Sequence, residues 1–393
     1  MSFHERKISN RIHVLMYNTE PEPSNKLNND ENIVLSEHVV EPYLVSILRP
    51  LNIIQNVFFC AKYRIKGRFI KPISRLYSAV SVIFYVFLTV YLYCMFFAIK
   101  NKGGVDDFEH FFMNVFDYVL FAVGGFVNFF VNIKQKYNNV LYVLKIQNVH
   151  RILKLNERCY NRTIISNWVC VLAINCFHVS WILIYYFAFK DVDFLNTLSI
   201  YSNVRFDVNV IYATACLRLM TESLKIWTTH LEMSAYMSDS QDQFYWNSLF
   251  GCYMDITEIF QIVEMSFQHM IFFYLIHTCS NSLLDIWVRY TLLTCSSLTW
   301  VIKNVLIITF LCVECEKYYS AIKQVESTCS QMITSKRSSE KQKIFCKNIL
   351  RVQGATFNKL RVCGLFAVDA SLPLRVCAFI TTYTIVLLQF VFL

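Results

Sequence analysis

From residue 76 to residue 99 the chain runs without a single charge, and nothing else in it restricts the fold so sharply. About 20 consecutive apolar residues are enough to cross a hydrocarbon core as a helix, the one local structure that satisfies its own backbone there. Further runs follow at 111–133, which contains Asp117, and at 165–189, where His178 alone titrates near neutral pH. A weaker run at 195–224 is interrupted by Arg205, Asp207, Arg218 and Glu222. Residues 265–284, residues 290–313 around Lys303, and the tail 376–393 complete seven. Composition agrees, because 55% hydrophobic against 17% charged residues leaves too little charge to cover a soluble protein of 393 residues.

Loop charge sets the expected orientation, since Lys and Arg collect on the cytosolic side. Lys134, Lys136, Lys145, Arg151, Lys154, Arg158 and Arg162 lie between the second and third runs. Lys317, Lys323, Lys336, Arg337, Lys341, Lys343, Lys347, Arg351, Lys359 and Arg361 lie between the sixth and seventh. The alternate loops are short and mixed in sign, as at Lys100, Asp106 and Asp107 or at Lys190 and Asp191. The net charge of +9 is therefore assigned to membrane flanks and not to nucleic acid. The expected fold class is all-α: a seven-transmembrane-helix membrane protein with a cytosolic amino terminus, an extracellular carboxyl terminus and a cytosolic helical anchor bundle. A G-protein-coupled receptor has the opposite sense.

Five segments follow. Residues 1–42 are polar, lack a signal-peptide apolar core and read as a disordered cytosolic arm. Residues 43–75 read as an interfacial helix with a basic flank, because Arg49, Pro50 and the asparagines interrupt it. Residues 76–313 hold spans one to six, with an outward-facing ligand pocket and helices continuing into the cytosol. Residues 314–362 form a cytosolic basic helical segment, and 363–393 the final span. Trp227, Leu231, Trp246, Leu249, Tyr253, Ile256 and Ile259, with Phe345, Ile349 and Val352, supply apolar faces for the anchor bundle or for anionic lipid.

Catalysis finds little support. The histidines are dispersed, no HExxH occurs, and neither Gly103–Gly104 nor Gly124–Gly125 has phosphate-loop spacing. Of fifteen cysteines, Cys94, Cys170, Cys176, Cys216, Cys279, Cys295 and Cys377 sit inside apolar runs. Cys312 and Cys315 have no second pair at zinc spacing, so no metal or cofactor is expected.

The tail carries the most specific pattern: Thr382–Tyr383, then "TIVLL", then Gln389–Phe390. Upstream stands "VCGLFAVDASLPL", with Cys363, Gly364, Phe366 and Asp369. In order, spacing and location this resembles the insect gustatory receptor family, relatives of the insect odorant receptors. The resemblance implies a plasma-membrane chemoreceptor that is itself a ligand-gated cation channel. It also implies that the last helices of four subunits, identical or related, surround the ion path, and that a small-molecule tastant opens it. Thr384 stands where sugar-sensing members usually carry Glu, which points to a bitter or other plant-derived compound, or to a fructose-type specificity.

On a helix Thr382, Val386, Gln389 and Leu393 share one stripe. The stripe either lines water, with Val386 as a dry constriction, or holds Gln389 as hydrogen-bonding glue within one subunit. Asp117, His178, Trp181, Tyr185, Arg205, Tyr274, His277 and Trp300 are candidate ligand contacts, being aromatic or polar groups in the outward halves of the spans. A metabotropic seven-helix chemoreceptor and a multi-pass transporter are the rival readings; related halves with interrupted helices, the mark of many transporters, are not visible.

Overall fold

The computed structural model describes residues 39–102, 108–154, 157–188, 197, 201–234, 243–288 and 294–392. The expected amino-terminal arm lies almost wholly outside them. The fold is all-α, about 85% helical. Its strands, among the described residues, are two short hairpins, β1 (Arg64–Lys66) with β2 (Phe69–Lys71) and β3 (Arg361–Val362) with β4 (Phe366–Ala367).

Among the described residues the helices named below are, in chain order, α1 (Pro42–Val57), α2 (Arg75–Lys102), α3 (Phe108–Lys134), α4 (Lys136–Leu153), α5 (Glu157–Ala188), α6 (Val204–Ser234), α7 (Gln243–Val288), α8 (Thr294–Thr334), α9 (Glu340–Thr356) and α10 (Leu372–Phe392). Three of them, α5, α7 and α8, contain stretches long and apolar enough to cross a membrane. They become four if α3 and α4, bent by 61° at Gln135, count as one span. Shorter apolar stretches lie in α2 and α10.

Helix α6 is the axis of the fold, packed against α8, α7, α5 and α4. Over its first five turns, residues 204–221, the circumference is covered, which is what permits its charges there: Arg205 and Asp207 are buried. Helix α1 turns Leu44, Ile47, Leu48, Leu51 and Ile54 inward against α5 and α6. There Asn167 of α5 donates a 2.9 Å hydrogen bond to the Ile47 carbonyl. Helix α4 occupies the segment read as a basic loop. It buries Val140, Val143, Ile146 and Val149, and Lys145 grips Asp255 of α7 at 2.6 Å and Glu258 at 3.3 Å.

At the other end of α6, helices α6, α7, α8 and α9 close around Trp227. Its indole donates to the Leu249 carbonyl at 2.8 Å, and its ring lies 5.1 Å from Tyr253 and 6.4 Å from Phe345. Ser339 and Gln342 form a reciprocal capping box that starts α9. The apolar faces expected in 225–262 and 341–355 thus meet each other, the first divided between α6 and α7.

Candidate functional site

Among the described residues, the candidates from sequence gather at two places, and both depend on helix phase. Arg205 and Asp207 are two residues apart on α6, so at about 100° per residue they leave the helix on nearly opposite sides. Asp207 turns toward α5, α7 and α8. Lys303 of α8 donates to its two oxygens at 2.7 and 3.0 Å, His178 of α5 reaches Oδ2 at 2.8 Å, and the Tyr274 hydroxyl of α7 donates to Oδ1 at 3.0 Å. The side-chain amide of Asn304 lies 3.1 Å from the same hydroxyl. Four helices thereby converge on one buried carboxylate, whose charge is matched and whose lone pairs are filled.

An aromatic wall stands beside this knot. Lys303 Nζ lies 4.1 Å from the Trp300 ring centroid. Trp300 in turn lies 5.4 Å from Trp181, 5.2 Å from His178 and 5.9 Å from Phe177. The spacing explains the grouping, because His178 and Trp181, and likewise Trp300 and Lys303, are three apart and share a helix face.

Of the residues singled out from sequence, His178, Trp181, Tyr274 and Trp300 therefore come together. His277 lies one turn from Tyr274, its ring tilted against those of Phe206 and Phe273 at 5.4 and 5.9 Å. Its Nε2 accepts from Asn281 at 3.2 Å. Arg205 faces the other way, into α2 and α3. The side chains of Asp117 and Tyr185 lie outside the described residues. Sequence reasoning did not name Asp207, Lys303 or Asn304 as site residues. The signal was present: opposite charges in two different apolar runs are expected to pair.

The second place is α10, which begins from a fixed platform. Cys363 and Gly364 take left-handed conformations, φ 50° and 74°, to turn β3 into β4, and the second position suits glycine. Tyr319 of α8 holds this hairpin, accepting from Leu360 N at 2.9 Å and donating to the Val368 carbonyl at 3.0 Å. Asp369 accepts from Ser371 N at 3.1 Å and from its hydroxyl at 2.5 Å just before α10 starts. These hydrogen bonds hold the Asp369 carboxyl below its ordinary range. Cys363, Gly364, Phe366 and Asp369 thus build the turn, hairpin and helix start that aim α10.

From that platform α10 buries Leu372, Val376 and Ile380, four apart, against α7 and α8. Thr382, Val386 and Gln389 lie roughly 110° around the helix at about 100° per residue, and all three are exposed. No hydrogen bond joins Gln389 to another described residue, and Tyr383 is exposed as well, its ring 4.5 Å from Phe379. Leu393 and the Phe390 side chain lie outside the described residues. The stripe thus faces away from the subunit's own helices.

Neither a protein-family model nor a curated protein matches this chain.

Proposed function

We propose that the chain is one subunit of a ligand-gated cation channel, a chemoreceptor in which α10 lines the pore. The observation that carries this reading is the phase of α10: its polar stripe points out of the subunit while its apolar stripe holds it in place. An amide in hydrocarbon lacks partners and costs several kcal/mol, so Gln389 requires water or other copies of itself. A ring of α10 helices supplies both. Val386, one turn away, forms the dry constriction of the closed state, and Gln389 meets the permeating ion.

In this reading α2, α3, α5, α6, α7, α8 and α10 are the seven spans, with the amino terminus and the Trp227 bundle in the cytosol. The protein sits in the plasma membrane as a tetramer, of identical or related subunits. The outward cluster around Asp207, Lys303 and Trp300 senses a small tastant, a bitter or other plant-derived compound. Because that cluster ties α5, α6, α7 and α8, and α7 and α8 carry α10, a ligand that shifts it is placed to move the pore helix.

Reconstitution of the purified protein into planar bilayers tests the proposal. Tetrameric particles passing cation current without nucleotide or G-protein are expected. Ligand response only through a G-protein, or solute movement without current, would assign it to a metabotropic receptor or a transporter. Asn161, exposed near the start of α5 in the sequon Asn161–Arg162–Thr163, checks orientation. It should carry no glycan, and a glycosidase-sensitive mass shift abolished by Asn161→Gln would reverse the assigned sides.

A further inference from the structure

Arg205 presents an unsolved charge. Its side chain is 0% exposed, and its guanidinium carbon lies 4.3 Å from the Tyr85 ring centroid, 4.1 Å from Phe121 and 4.5 Å from Phe206. One hydrogen bond is made, from Nη2 to the Phe121 carbonyl at 2.9 Å. Nε and Nη1 are buried without partners. Three neutral rings soften a cation by about 0.5–2 kcal/mol each, but a buried charge without a counter-ion costs more than that. Among the described residues no carboxylate pairs with it, since Asp207 faces the opposite side of α6 and is taken by Lys303. Asp117 stands on α3 two turns, about 12 Å, before Gly125, the residue whose backbone adjoins the guanidinium.

Beside this cage runs a cleft between α2 and α3, lined by Val82, Val86, Ala122 and Phe126 with Tyr85, Phe121 and Gly125. Gly125 is the door between them: a Cβ there would lie 3.4 Å from Arg205 Nη2 and 3.7 Å from the Tyr85 ring. Val86 and Phe126 are 43% and 50% exposed, so the cleft opens on the surface that faces lipid in the reading above. Further along the same face of α3 the Asn128 amide nitrogen is also buried and unpartnered. Asn209 links the two, donating to the Arg205 carbonyl at 3.0 Å and to Asn128 Oδ1 at 3.1 Å.

We infer that Arg205 and the α2–α3 cleft form a binding site for an amphiphilic carboxylate, headgroup on the guanidinium and chain between the helices. The cleft runs along two turns of α2 from Val82 to Thr89, about 10 Å, and is too shallow to enclose an acyl chain, which would lie along it with one side in lipid. The carboxylate supplies the missing counter-charge in a charge-assisted hydrogen bond, and access is sideways from the bilayer. The site is separate from the Asp207 cluster. The inference rests on the membrane reading above but not on the pore.

Photo-crosslinking of the intact protein in liposomes, with a diazirine-bearing decanoate as probe, tests it without reference to current. Label should fall on α2 and α3, be displaced by decanoate, and be displaced at least ten-fold less well by decanol. Arg205→Gln should weaken displacement at least ten-fold, and Arg205→Lys should restore part of it. Ala122→Phe fills the cleft from its outer side, away from the buried core, and should reduce labelling in a protein of unchanged thermal stability. Equal competition by decanol, or full labelling of Arg205→Gln, would overturn the site. So would stabilisation against heat by chloride over gluconate with no decanoate label, which would give Arg205 a free halide. Non-additive destabilisation by Arg205→Gln and Asp117→Asn in the unliganded protein would give the counter-charge to Asp117, with the same result.

Discussion

The first five turns of helix α6 carry Arg205, Asp207 and Arg218, yet lie inside the protein, with Arg205 0% and Asp207 2% exposed. Helix α10 has Arg375 as its one charge, yet Leu374 is 73% exposed, Ile385 53% and Val386 38%. In a soluble protein the two would exchange places. In a membrane the solvent is apolar, so a charged helix survives by being enclosed, with Asp207 paired to Lys303 and Arg205 caged by rings, while an apolar one is free at the periphery. The difference assigns the roles: α6 is held by its own chain, and α10 offers a surface for lipid and for other copies.

The comparison breaks most easily at Asp207. Replacing it by Ala leaves Lys303 buried without a counter-charge and removes the acceptor of His178 and Tyr274, which should cost about 3–5 kcal/mol. Thermal unfolding in detergent measures this, and Asp207→Leu combined with Lys303→Met should recover most of the loss. A loss below about 1 kcal/mol would mean the pair is hydrated and α6 is not a dry core.

A smaller effect comes from His150 on α4, outside the spans. Burial pushes its imidazole down to about 4, and neither ring nitrogen has a partner between Tyr43 and Tyr160. The unfolded chain takes up the proton first, near pH 6.5, so stability is complete above that pH and declines as pH falls toward 4. The loss should reach at most about 3 kcal/mol, and His150→Phe should flatten this part of the pH profile. An unchanged profile in the variant would show that water already reaches the ring.

The smallest effects sharpen the comparison within α10 itself. Ile380, 7% exposed, should cost about 2 kcal/mol when cut to Ala, whereas Ile385→Ala should stay within about 0.5 kcal/mol in the same detergent-solubilised subunit. Equal losses at both positions would mean that α10 is enclosed by its own chain and that the stripe is not available to a pore.

Much of this architecture is written in local periodicity. The charge-free run at 76–99 becomes α2 and the tail becomes α10, each within a few residues of the expected limits. Helices α7 and α8 run well beyond the apolar stretches, because an amphipathic face continues an apolar helix without any break in phase. Helix α4 was hidden by its lysines, although Val140, Val143, Ile146 and Val149 keep three-residue spacing. Partners are another matter. Asp207 and Lys303 were visible as charges in apolar runs, but 96 residues separate them and only the packing of α6 on α8 brings them together. The cage around Arg205 needs rings from three helices, which no single window contains.

The central claim is that Gln389 faces water on a shared axis, and the ion selectivity of Gln389→Glu against the unaltered channel tests it most directly. A carboxylate from each subunit would place a ring of negative charge in the path, so cation selectivity or divalent block should shift, with ligand sensitivity retained because the Asp207 cluster lies on other helices. Changes at Leu387, two residues before Gln389 and so on the opposite side of α10, should leave permeation alone. A well-expressed Gln389→Glu channel with unaltered selectivity and block would contradict the account, placing the amide outside the pore.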